Sequence, residues 1–288
     1  MKSYTVVTDP GIDDTVALVL LWRLASDVSH TLVSTFGNVP EHHTADTIAK
    51  FIARIAPHWS WMHGATEPIQ PLEHSWPTYF HGEDGLWGVK PAAAIGVEHN
   101  PHSEIYKDVI SLGPMTSVWN IAQKYSLRSL VVMGGAFSVL GNETQYAETN
   151  IAFDSDAAAA VFGMKNEMPI TTIPLDVTKK IYWTKHDVMR IPESTLWGRW
   201  VKKFLLIWFE KYGDPHGVPF DLHDPVAVYA AVFPDAFVWL HANVTIITKG
   251  KERGRTQAGS INESSKIALG VKNAKKVAKD IFSLCFEI

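Results

Sequence analysis

Short apolar segments alternate with longer segments in the first part of the chain. Tyr4–Thr8, His30–Phe36 and Trp59–His63 are short and rich in β-branched or aromatic residues, which is typical of buried strands. The segments between them, Thr15–Ala25 and Glu41–Ile55, have the length of helices, and the first is apolar almost all round, as expected of a helix buried against a sheet. This β-α-β-α-β order predicts a parallel, doubly wound sheet.

The same alternation continues through the rest of the chain. Further strands are predicted at Asp108–Leu112, Ser129–Met133 and Ile170–Ile173, and further helices at Thr116–Tyr125, Asp154–Gly163, Pro192–Tyr212, Val226–Val232 and Ala274–Leu284. Near the C-terminus, Phe237–Thr248 and Gly254–Ile261 have the pattern of an antiparallel hairpin, and Ile267–Val271 that of a last strand. The sequence therefore predicts one α/β domain over residues 1–288, with a mostly parallel, doubly wound (Rossmann-like) sheet flanked by helices and a C-terminal antiparallel hairpin.

The first predicted strand ends in a loop that is rich in carboxylates. Pro10 and Gly11 force a turn there, and Asp9, Asp13 and Asp14 lie within the same short segment. Ligands of open α/β sheets bind at the carboxyl ends of the strands. Carboxylates crowded together are costly unless a cation lies among them, and oxygen ligands favour calcium or magnesium. The alternative is that one of these residues caps the following helix, which would explain one carboxylate but not three.

Composition excludes several classes of protein. The net charge of the chain is −4, and its 26 lysines and arginines form no long basic block, so we expect no binding to a nucleic-acid polymer. Apolar runs such as Val16–Trp22 are too short to cross a membrane. A single cysteine, Cys285, excludes an intramolecular disulfide and is consistent with a reducing compartment. We therefore expect a cytoplasmic protein that is not bound to a membrane.

Polar residues recur just after predicted strands, where a parallel sheet would bring them to the same edge. The residues with this placement are Asp9, Asn38, His81, Asn142, Glu148, Asn150, His223 and Asp224. An edge of Asn, Asp and Glu with few cations suits a neutral polyhydroxyl ligand such as a sugar. It does not suit a phosphate, which would need a glycine-rich loop with lysine or arginine.

Nine short motifs together make the sequence similar to the inosine-uridine-preferring nucleoside hydrolase family over nearly the whole chain. They are Asp9-Pro10-Gly11-Ile12-Asp13-Asp14, Gly37-Asn38-Val39, His81-Gly82-Glu83-Asp84-Gly85-Leu86, Gly113-Pro114-Met115-Thr116, Met133-Gly134-Gly135, Glu148-Thr149-Asn150, Leu175-Asp176-Val177-Thr178, His223-Asp224-Pro225 and Gly254-Arg255-Thr256. Each motif alone is weak, but they occur together and in the order of the family. The resemblance implies a Ca²⁺-dependent ribonucleoside hydrolase that acts in purine and pyrimidine salvage as a homodimer or homotetramer.

By motif position, the resemblance also implies roles for individual residues. Calcium would be held by the side chains of Asp9, Asp14 and Asp224 and by the backbone carbonyl of Leu112. Asp9 would also take a proton from a calcium-bound water. The residues expected around the ribose are Asp13, Asn38, Met133, Asn142, Glu148 and Asn150.

Two histidines, His81 and His223, are expected on the side of the base. His223 could supply a proton to the leaving base, since histidine titrates near neutral pH. The alternative for His223 is a histidine at a helix start that is hydrogen-bonded to the backbone, and for His81 and Asn142 a solvated loop residue. Trp87, Trp183 and Trp208 lie on segments that could form a wall of the base pocket, although each alone is more typical of core packing.

One departure from the family pattern leaves competing functions open. Val7 stands where the family usually has a further aspartate, two positions before Asp9, and such a residue can support metal ligands. Its loss is compatible with a catalytically weakened nucleoside- or ribose-binding protein on the same fold. A magnesium phosphohydrolase is a third hypothesis, but Val7 also occupies the place of the nucleophilic aspartate of that class.

Overall fold

A mostly parallel eight-stranded sheet forms the centre of the molecule. The computed structural model describes residues 2–71, 75–91, 97–164 and 168–287, without the side chains of residues 262–264. The strands are β1 (Thr5–Thr8), β2 (Thr31–Ser34), β3 (Ser60–Met62), β4 (Asp108–Ser111), β5 (Ser129–Met133), β6 (Ile170–Ile173), β7 (Tyr182–Trp183), β8 (Phe220–Asp221), β9 (Phe237–Ile246) and β10 (Thr256–Val271). The central sheet has the order β3-β2-β1-β4-β5-β6-β10-β9, and β7 and β8 form a separate antiparallel pair.

The helices follow the strands as the alternating pattern predicts. They are α1 (Ile12–Leu24), α2 (Glu41–Arg54), α3 (Thr78–His81), α4 (Thr116–Ala122), α5 (Thr149–Phe153), α6 (Ser155–Gly163), α7 (Leu175–Thr178), α8 (Lys185–Met189), α9 (Leu196–Trp208), α10 (Asp214–His216), α11 (His223–Val232) and α12 (Ala274–Phe286). Within the described residues, no helix is long and apolar enough to cross a membrane.

The strand pairings confirm the predicted doubly wound sheet. The strands from β3 to β6 pair in parallel, and β10 pairs in parallel with β6. Only β9, at the edge, runs antiparallel to its neighbour among the described strands of this sheet. Successive strands run outward from β1 to β3, and the chain then returns to the other side of β1 with β4. The carboxyl ends of β1 and β4 therefore flank the crevice where such sheets bind ligands.

The C-terminal hairpin differs from its predicted form. The segments Gly254–Ile261 and Ile267–Val271 were expected to be two strands, but β10 runs from Thr256 to Val271 without a break. Its register with β9 shifts between Ala258 and Ile261, between Ile261 and Lys266 and between Ala268 and Gly270, which is typical of β-bulges. Lys266 and Ile267 of this strand pair with β6, so the hairpin extends the central sheet rather than standing apart.

Alternate residues of each strand pack into cores on opposite faces of the sheet. On β1, the Val6 side chain belongs to the core that contains α1, α2, α9 and α12, and the Val7 side chain to the core that contains α4 and α6. Both valines are fully buried. Helices cover both faces of the sheet, as expected of parallel strands that are buried on both sides.

Candidate active site

The loop after β1 places two carboxylates in the first turn of a helix. Helix α1 begins at Ile12, three residues before the predicted start, so Asp13 and Asp14 are helical. Asp14 accepts hydrogen bonds from the Thr8 hydroxyl at 2.6 Å and the Gly11 backbone N–H at 3.0 Å. The bond from Gly11 shows that Asp14 does stabilise the helix start, as the capping alternative proposed. The remaining carboxylates still require another explanation.

Asp13, Asp14 and Asp224 form an acidic cluster. Each offers one carboxylate oxygen, and these oxygens lie within 4.8 Å of one another. Asp224 comes from the first turn of α11, so the positive ends of two helices face the cluster. Burial raises the pKa of Asp13 to about 8, and burial together with repulsion from its neighbours raises the pKa of Asp224. A donor set of buried oxygens with uncompensated repulsion fits a hard divalent cation.

Asp9 lies beside this cluster and carries an unsatisfied oxygen. Its side chain is buried, its Oδ2 accepts the Asn38 backbone N–H at 2.8 Å, and its Oδ1 has no hydrogen-bond partner among the described residues. Burial, followed by repulsion from Asp14, raises the Asp9 pKa. An unpaired buried carboxylate oxygen is costly, and a cation or a water proton would satisfy it.

Two glycines leave the space that the Asp9 carboxylate occupies. A Cβ atom on Gly37 would lie 2.0 Å from Oδ2, and one on Gly113 would lie 2.4 Å from Oδ1. Any side chain at either position would displace the carboxylate. This close approach is a physical reason for the glycines in the Gly37-Asn38 and Gly113-Pro114 motifs.

The backbone carbonyl of Leu112, which was expected to bind the metal, directly follows β4 and is hydrogen-bonded to Asn150 on the sugar side of the site. The Asn150 side-chain amide donates to the Leu112 carbonyl at 2.7 Å and to the Met133 carbonyl at 3.2 Å. A carbonyl oxygen has two lone pairs, so the Leu112 carbonyl keeps one for a cation. Asn150 thus ties together the carboxyl ends of β4 and β5.

Glu148 is a rigid acceptor next to Asn150. Its carboxylate accepts backbone N–H groups of Gly135, Asn150 and Ile151 at 2.9 to 3.2 Å, and so caps α5. Burial nevertheless raises its pKa to about 7, since the hydrogen bonds only partly offset the loss of water. Asn142 is exposed, and its Oδ1 accepts the Thr149 N–H at 3.0 Å. The loop that carries Asn142 is therefore anchored beside Glu148.

A cavity of about 600 Å³ opens above these residues. The family resemblance gave twelve residues a role toward the metal, the ribose or the base. Ten of them line the cavity, namely Asp13, Asn38, His81, Leu112, Met133, Asn142, Glu148, Asn150, His223 and Asp224. The other two, Asp9 and Asp14, are buried next to it and do not line it. The structure therefore brings the predicted site residues to one pocket at the carboxyl edge of the sheet.

His81 is held in a defined tautomer at one side of the pocket. Its Nδ1 lies 3.2 Å from the Ile12 backbone N–H and accepts that hydrogen bond, so the neutral ring carries its proton on Nε2. The imidazole is buried, and burial lowers its pKa to about 3. His81 is therefore a neutral hydrogen-bond donor rather than a solvated loop histidine.

His223 is held at the start of α11 by a side chain. Its Nδ1 lies 2.7 Å from the Thr178 hydroxyl, and its Nε2 lies 3.9 Å from Oδ2 of Asp221. Burial lowers the His223 pKa to about 4, and burial raises the Asp221 pKa to about 7. The alternative expectation was a hydrogen bond from His223 to the backbone. In the structure the partner of Nδ1 is the side-chain hydroxyl of Thr178.

Several residues of the pocket wall escaped the sequence interpretation. They are Pro77, Tyr79, Phe80, Glu143, Thr149, Lys179, Tyr182, Tyr212, Val218, Pro219 and Asp221. Most lie on very short elements or loops, where no periodic pattern marks them. Parts of the long segment between Gly64 and Pro101, residues 72–74 and 92–96, lie outside the described residues.

The three tryptophans proposed for the base pocket divide between wall and core. Trp208 lines the pocket, where its ring packs 5.3 Å from Phe80 and 5.6 Å from Tyr212. Trp183 is buried and donates to a backbone carbonyl of α12, and Trp87 donates to the Phe80 carbonyl. Neither of these two lines the pocket, so their roles are structural.

Val7 fills an apolar space rather than supporting the acidic loop. Its side chain is fully buried in the core that contains α4 and α6, next to apolar residues such as Val33 and Val109. A carboxylate at this position would have to be accommodated in that core. The unusual valine therefore leaves Asp9 and Asp14 to be held by Thr8, Asn38 and the backbone.

Comparison with known sequences identifies relatives over most of the chain. Residues 6–282 match the family described as "Inosine-uridine preferring nucleoside hydrolase". The chain is 29% identical over 272 residues to "Probable uridine nucleosidase 2" of Oryza sativa subsp. japonica, covering 86% of this chain and 79% of the relative. It is also 29% identical over 269 residues to "Pyrimidine-specific ribonucleoside hydrolase RihA" of Salmonella paratyphi C, covering 84% of this chain and 83% of the relative.

Solved structures share the fold over the whole chain. The "Purine-Preferring Ribonucleoside Hydrolase from Gardnerella vaginalis" superposes with a TM-score of 0.86 and 23% identity, covering 99% of this chain and 98% of that chain. The "Inosine-Guanosine Nucleoside Hydrolase (IG-NH)" gives a TM-score of 0.82 and 21% identity, covering 99% of each chain. At this level of identity the likeness establishes the architecture.

Proposed function

The chain belongs to the inosine-uridine preferring nucleoside hydrolase family, whose members hydrolyse N-glycosyl bonds, and on that premise we propose a Ca²⁺-dependent enzyme that splits ribonucleosides into base and ribose. The observation that carries the metal dependence is the cluster of Asp13, Asp14 and Asp224, whose carboxylate oxygens lie within 4.8 Å of one another, with the buried Asp9 carboxylate beside it. Buried carboxylates with no cationic partner leave a site whose charge a divalent cation balances.

The oxygen donors of the site support calcium as the proposed ion. The cation would be held by the side chains of Asp9, Asp14 and Asp224 and by the Leu112 carbonyl, with Asp13 at the edge toward the pocket. Calcium accepts several oxygen ligands in flexible geometry, whereas magnesium demands a near-ideal octahedron and retains more water. When bound, the cation would orient the ribose hydroxyls and make a neighbouring water more acidic.

Asp9 is the proposed general base. Its Oδ2 is fixed by the Asn38 N–H, so Oδ1 is the atom free to accept a proton from the attacking water. The water oxygen then bonds to the anomeric carbon, while the bond from that carbon to the base nitrogen breaks and its electron pair leaves with the base. Proton acceptance by a fixed carboxylate accelerates such a step by roughly 10²- to 10⁴-fold.

The sugar end of the pocket suits the developing positive charge. Cleavage of a glycosidic bond passes through an oxocarbenium-like state, which neighbouring carboxylates and amide oxygens stabilise. Asp13, Asn38, Glu148 and Asn150 line this end, and Glu148 is held by backbone N–H groups. We assign the ribose hydroxyls to these residues, with Met133 and Asn142 around the rest of the sugar.

His223 is the proposed residue that assists the leaving base. It lines the pocket next to Asp224, and Thr178 fixes its ring through Nδ1, which leaves Nε2 as the other reactive nitrogen. Burial lowers its pKa to about 4, below the near-neutral value expected from the sequence, so the ring is neutral at pH 7 and would assist the base by donating a hydrogen bond from Nε2. His81, which is locked with its proton on Nε2, would support the substrate by hydrogen bonding.

Uridine and inosine are the first substrates to test. The relatives at 29% identity are named for uridine and for pyrimidine ribonucleosides, and the family is named for inosine and uridine. A pocket of about 600 Å³ can hold either kind of base. From the family resemblance we also propose a cytoplasmic enzyme, folded as one domain over residues 1–288, that assembles as a homodimer or homotetramer.

Chelation followed by metal replacement tests the proposal. The protein is freed of metal with EGTA, and release of reducing sugar from uridine and inosine is then measured without metal and with Ca²⁺, Mg²⁺ or Zn²⁺ added. We expect activity to be lost on chelation and restored best by Ca²⁺. Tight nucleoside binding without any release of base would instead favour the nucleoside-binding alternative, and undiminished activity of metal-free protein would contradict the metal dependence.

A further inference from the structure

Lys179 is the only lysine or arginine among the described residues that line the pocket. The same lining contains five carboxylate residues, Asp13, Glu143, Glu148, Asp221 and Asp224. Lys179 is exposed at the edge of the pocket, so its charge is hydrated there and is within reach of a ligand that enters among these carboxylates.

Lys179 enters the pocket on the side of the leaving base. It follows α7 directly, and the last residue of that helix, Thr178, bonds to His223. The adjoining wall consists of Tyr182 and Asp221, which are paired between β7 and β8. The sugar end, by contrast, is formed at the ends of the central strands. Lys179 therefore adjoins His223 and Asp221 on one side, and its Nζ extends toward the loop of Asn142 on the other.

The Lys179 ammonium group retains hydrogen-bonding capacity. Its Nζ donates to the Leu140 carbonyl at 3.2 Å, which tethers the side chain across the pocket edge. No carboxylate of the described residues lies within ion-pair distance of this nitrogen. An ammonium group has three N–H donors, so two remain for a ligand. The positive charge of Lys179 lowers the pKa of Asp221 and so partly offsets the effect of burial, which shows that the two side chains interact electrostatically.

The chemistry of the leaving base identifies what such a cation can do. When the bond from the anomeric carbon to the base nitrogen breaks, the electron pair moves onto the base. In uracil and hypoxanthine, part of that negative charge passes to the exocyclic oxygen at C4 or C6. In cytosine and adenine the same position carries an amino group, whose hydrogens would face an ammonium group unfavourably. A positioned cation stabilises charge that develops during reaction.

We propose that Lys179 determines base specificity by donating to the oxygen at C4 of uracil or C6 of hypoxanthine and stabilising the negative charge that this oxygen gains. The inference rests on the proposed ribonucleoside hydrolysis and adds a residue and a discriminating atom to it. Lys179 binds the carbonyl oxygen already in the ground state and more strongly as the glycosidic bond breaks. The enzyme accordingly favours uridine over cytidine, and inosine over adenosine.

The test compares matched substrates on matched variants. Lys179→Met removes the charge and keeps most of the length of the side chain, Lys179→Arg keeps the charge, and Lys180→Met is the control because Lys180 is exposed and does not line the pocket. We expect Lys179→Met to lower kcat/KM for uridine and inosine by roughly 10- to 100-fold, with a change of no more than a few-fold for cytidine and adenosine. Lys179→Arg should retain the preference, and Lys180→Met should behave as the parent.

Three outcomes separate this inference from the proposed function. A parent enzyme that hydrolyses uridine or inosine, with substrate ratios unchanged by Lys179→Met, overturns the role of Lys179 alone. An equal loss on all four substrates also overturns it, since that result shows a structural effect. A parent enzyme that releases base from none of the four contradicts the proposed hydrolysis itself, and the inference with it.

Discussion

The backbone N–H of Asn38 donates to Oδ2 of Asp9 at 2.8 Å and so makes the two oxygens of that carboxylate unequal. Oδ2 is satisfied, whereas Oδ1 is buried without a hydrogen-bond partner among the described residues. The Asn38 side chain also donates to the Asp9 carbonyl and to Asp14, so one residue of the neighbouring strand end sets the geometry of both acids. The account of catalysis depends on this fixed orientation.

Gly113→Ala should disturb the site without adding or removing a functional group. Its new Cβ would lie 2.4 Å from Oδ1 of Asp9, and the carboxylate would have to shift. Displacement of a catalytic group by about 1 Å can cost roughly 100-fold in rate, so we expect a fall of that order in kcat/KM for uridine together with weaker calcium binding. The control is Gly163→Ala, at a position where a Cβ meets nothing within 4 Å. Equal activity of the two variants would contradict the proposed crowding.

His223→Ala separates acid assistance from simple positioning. Uridine and inosine have poor leaving groups. A p-nitrophenyl riboside has a good one, because p-nitrophenolate departs without being protonated. If His223 assists departure of the base, the variant should lose roughly 10²- to 10⁴-fold on the nucleosides and almost nothing on the p-nitrophenyl substrate. Kinetics on both substrates and calorimetry with calcium provide the measurement. Equal losses on both substrates, with weaker calcium binding, would show that His223 only holds Asp224 in place.

Burial of His30, which lies outside the pocket, should make the free energy of unfolding depend on pH. His30 is fully buried, its Nδ1 accepts the Tyr4 N–H at 3.0 Å, and burial lowers its pKa from 6.5 to about 4. The unfolded state therefore binds more protons between these values, so the stabilisation is complete above about pH 6.5 and is lost as the pH falls toward 4. The loss should reach on the order of 3 kcal/mol at pH 4.

The control for His30 is the variant His30→Asn, whose Oδ1 can still accept the Tyr4 N–H. Urea unfolding of both proteins at pH 7 and pH 4.5 isolates the contribution of His30, because the other titrating groups are common to both. The free energy of unfolding of the parent, relative to that of the variant, should be lower at pH 4.5 than at pH 7. A difference that stays constant between the two pH values would refute the assignment.

The alternation of short and long apolar segments was sufficient to predict the central sheet. Strands such as Thr5–Thr8 and Asp108–Ser111 are buried on both faces, and their β-branched residues have no other favourable place. The continuity of β10 was not predictable in the same way. Polar residues 262–266 interrupt its apolar pattern, and its pairing with β9 and β6 overrides that local signal.

The carboxylate end of the site was predictable because its residues follow strands directly. Asp9 directly follows β1 and Leu112 directly follows β4, and the reversal of strand order brings both to one crevice. The rest of the base end, beyond His81, His223 and Trp208, was not predictable, because Lys179, Tyr182 and Asp221 lie at or next to elements of two to four residues. Elements this short have no periodicity, so only the folded chain brings their side chains to the pocket.

Base release by Asp9→Asn, measured with uridine at saturating Ca²⁺, tests the central claim most directly. Asparagine keeps the shape of the side chain and removes its capacity to accept the water proton. Asp46→Asn is the control. Asp46 lies on helix α2, is partly exposed and forms ion pairs with Lys50 and Lys90. We predict that Asp9→Asn still binds ribose but releases base roughly 10²- to 10⁴-fold more slowly than the parent and the control. Turnover within a few-fold of the parent would contradict the assignment of Asp9 as the general base.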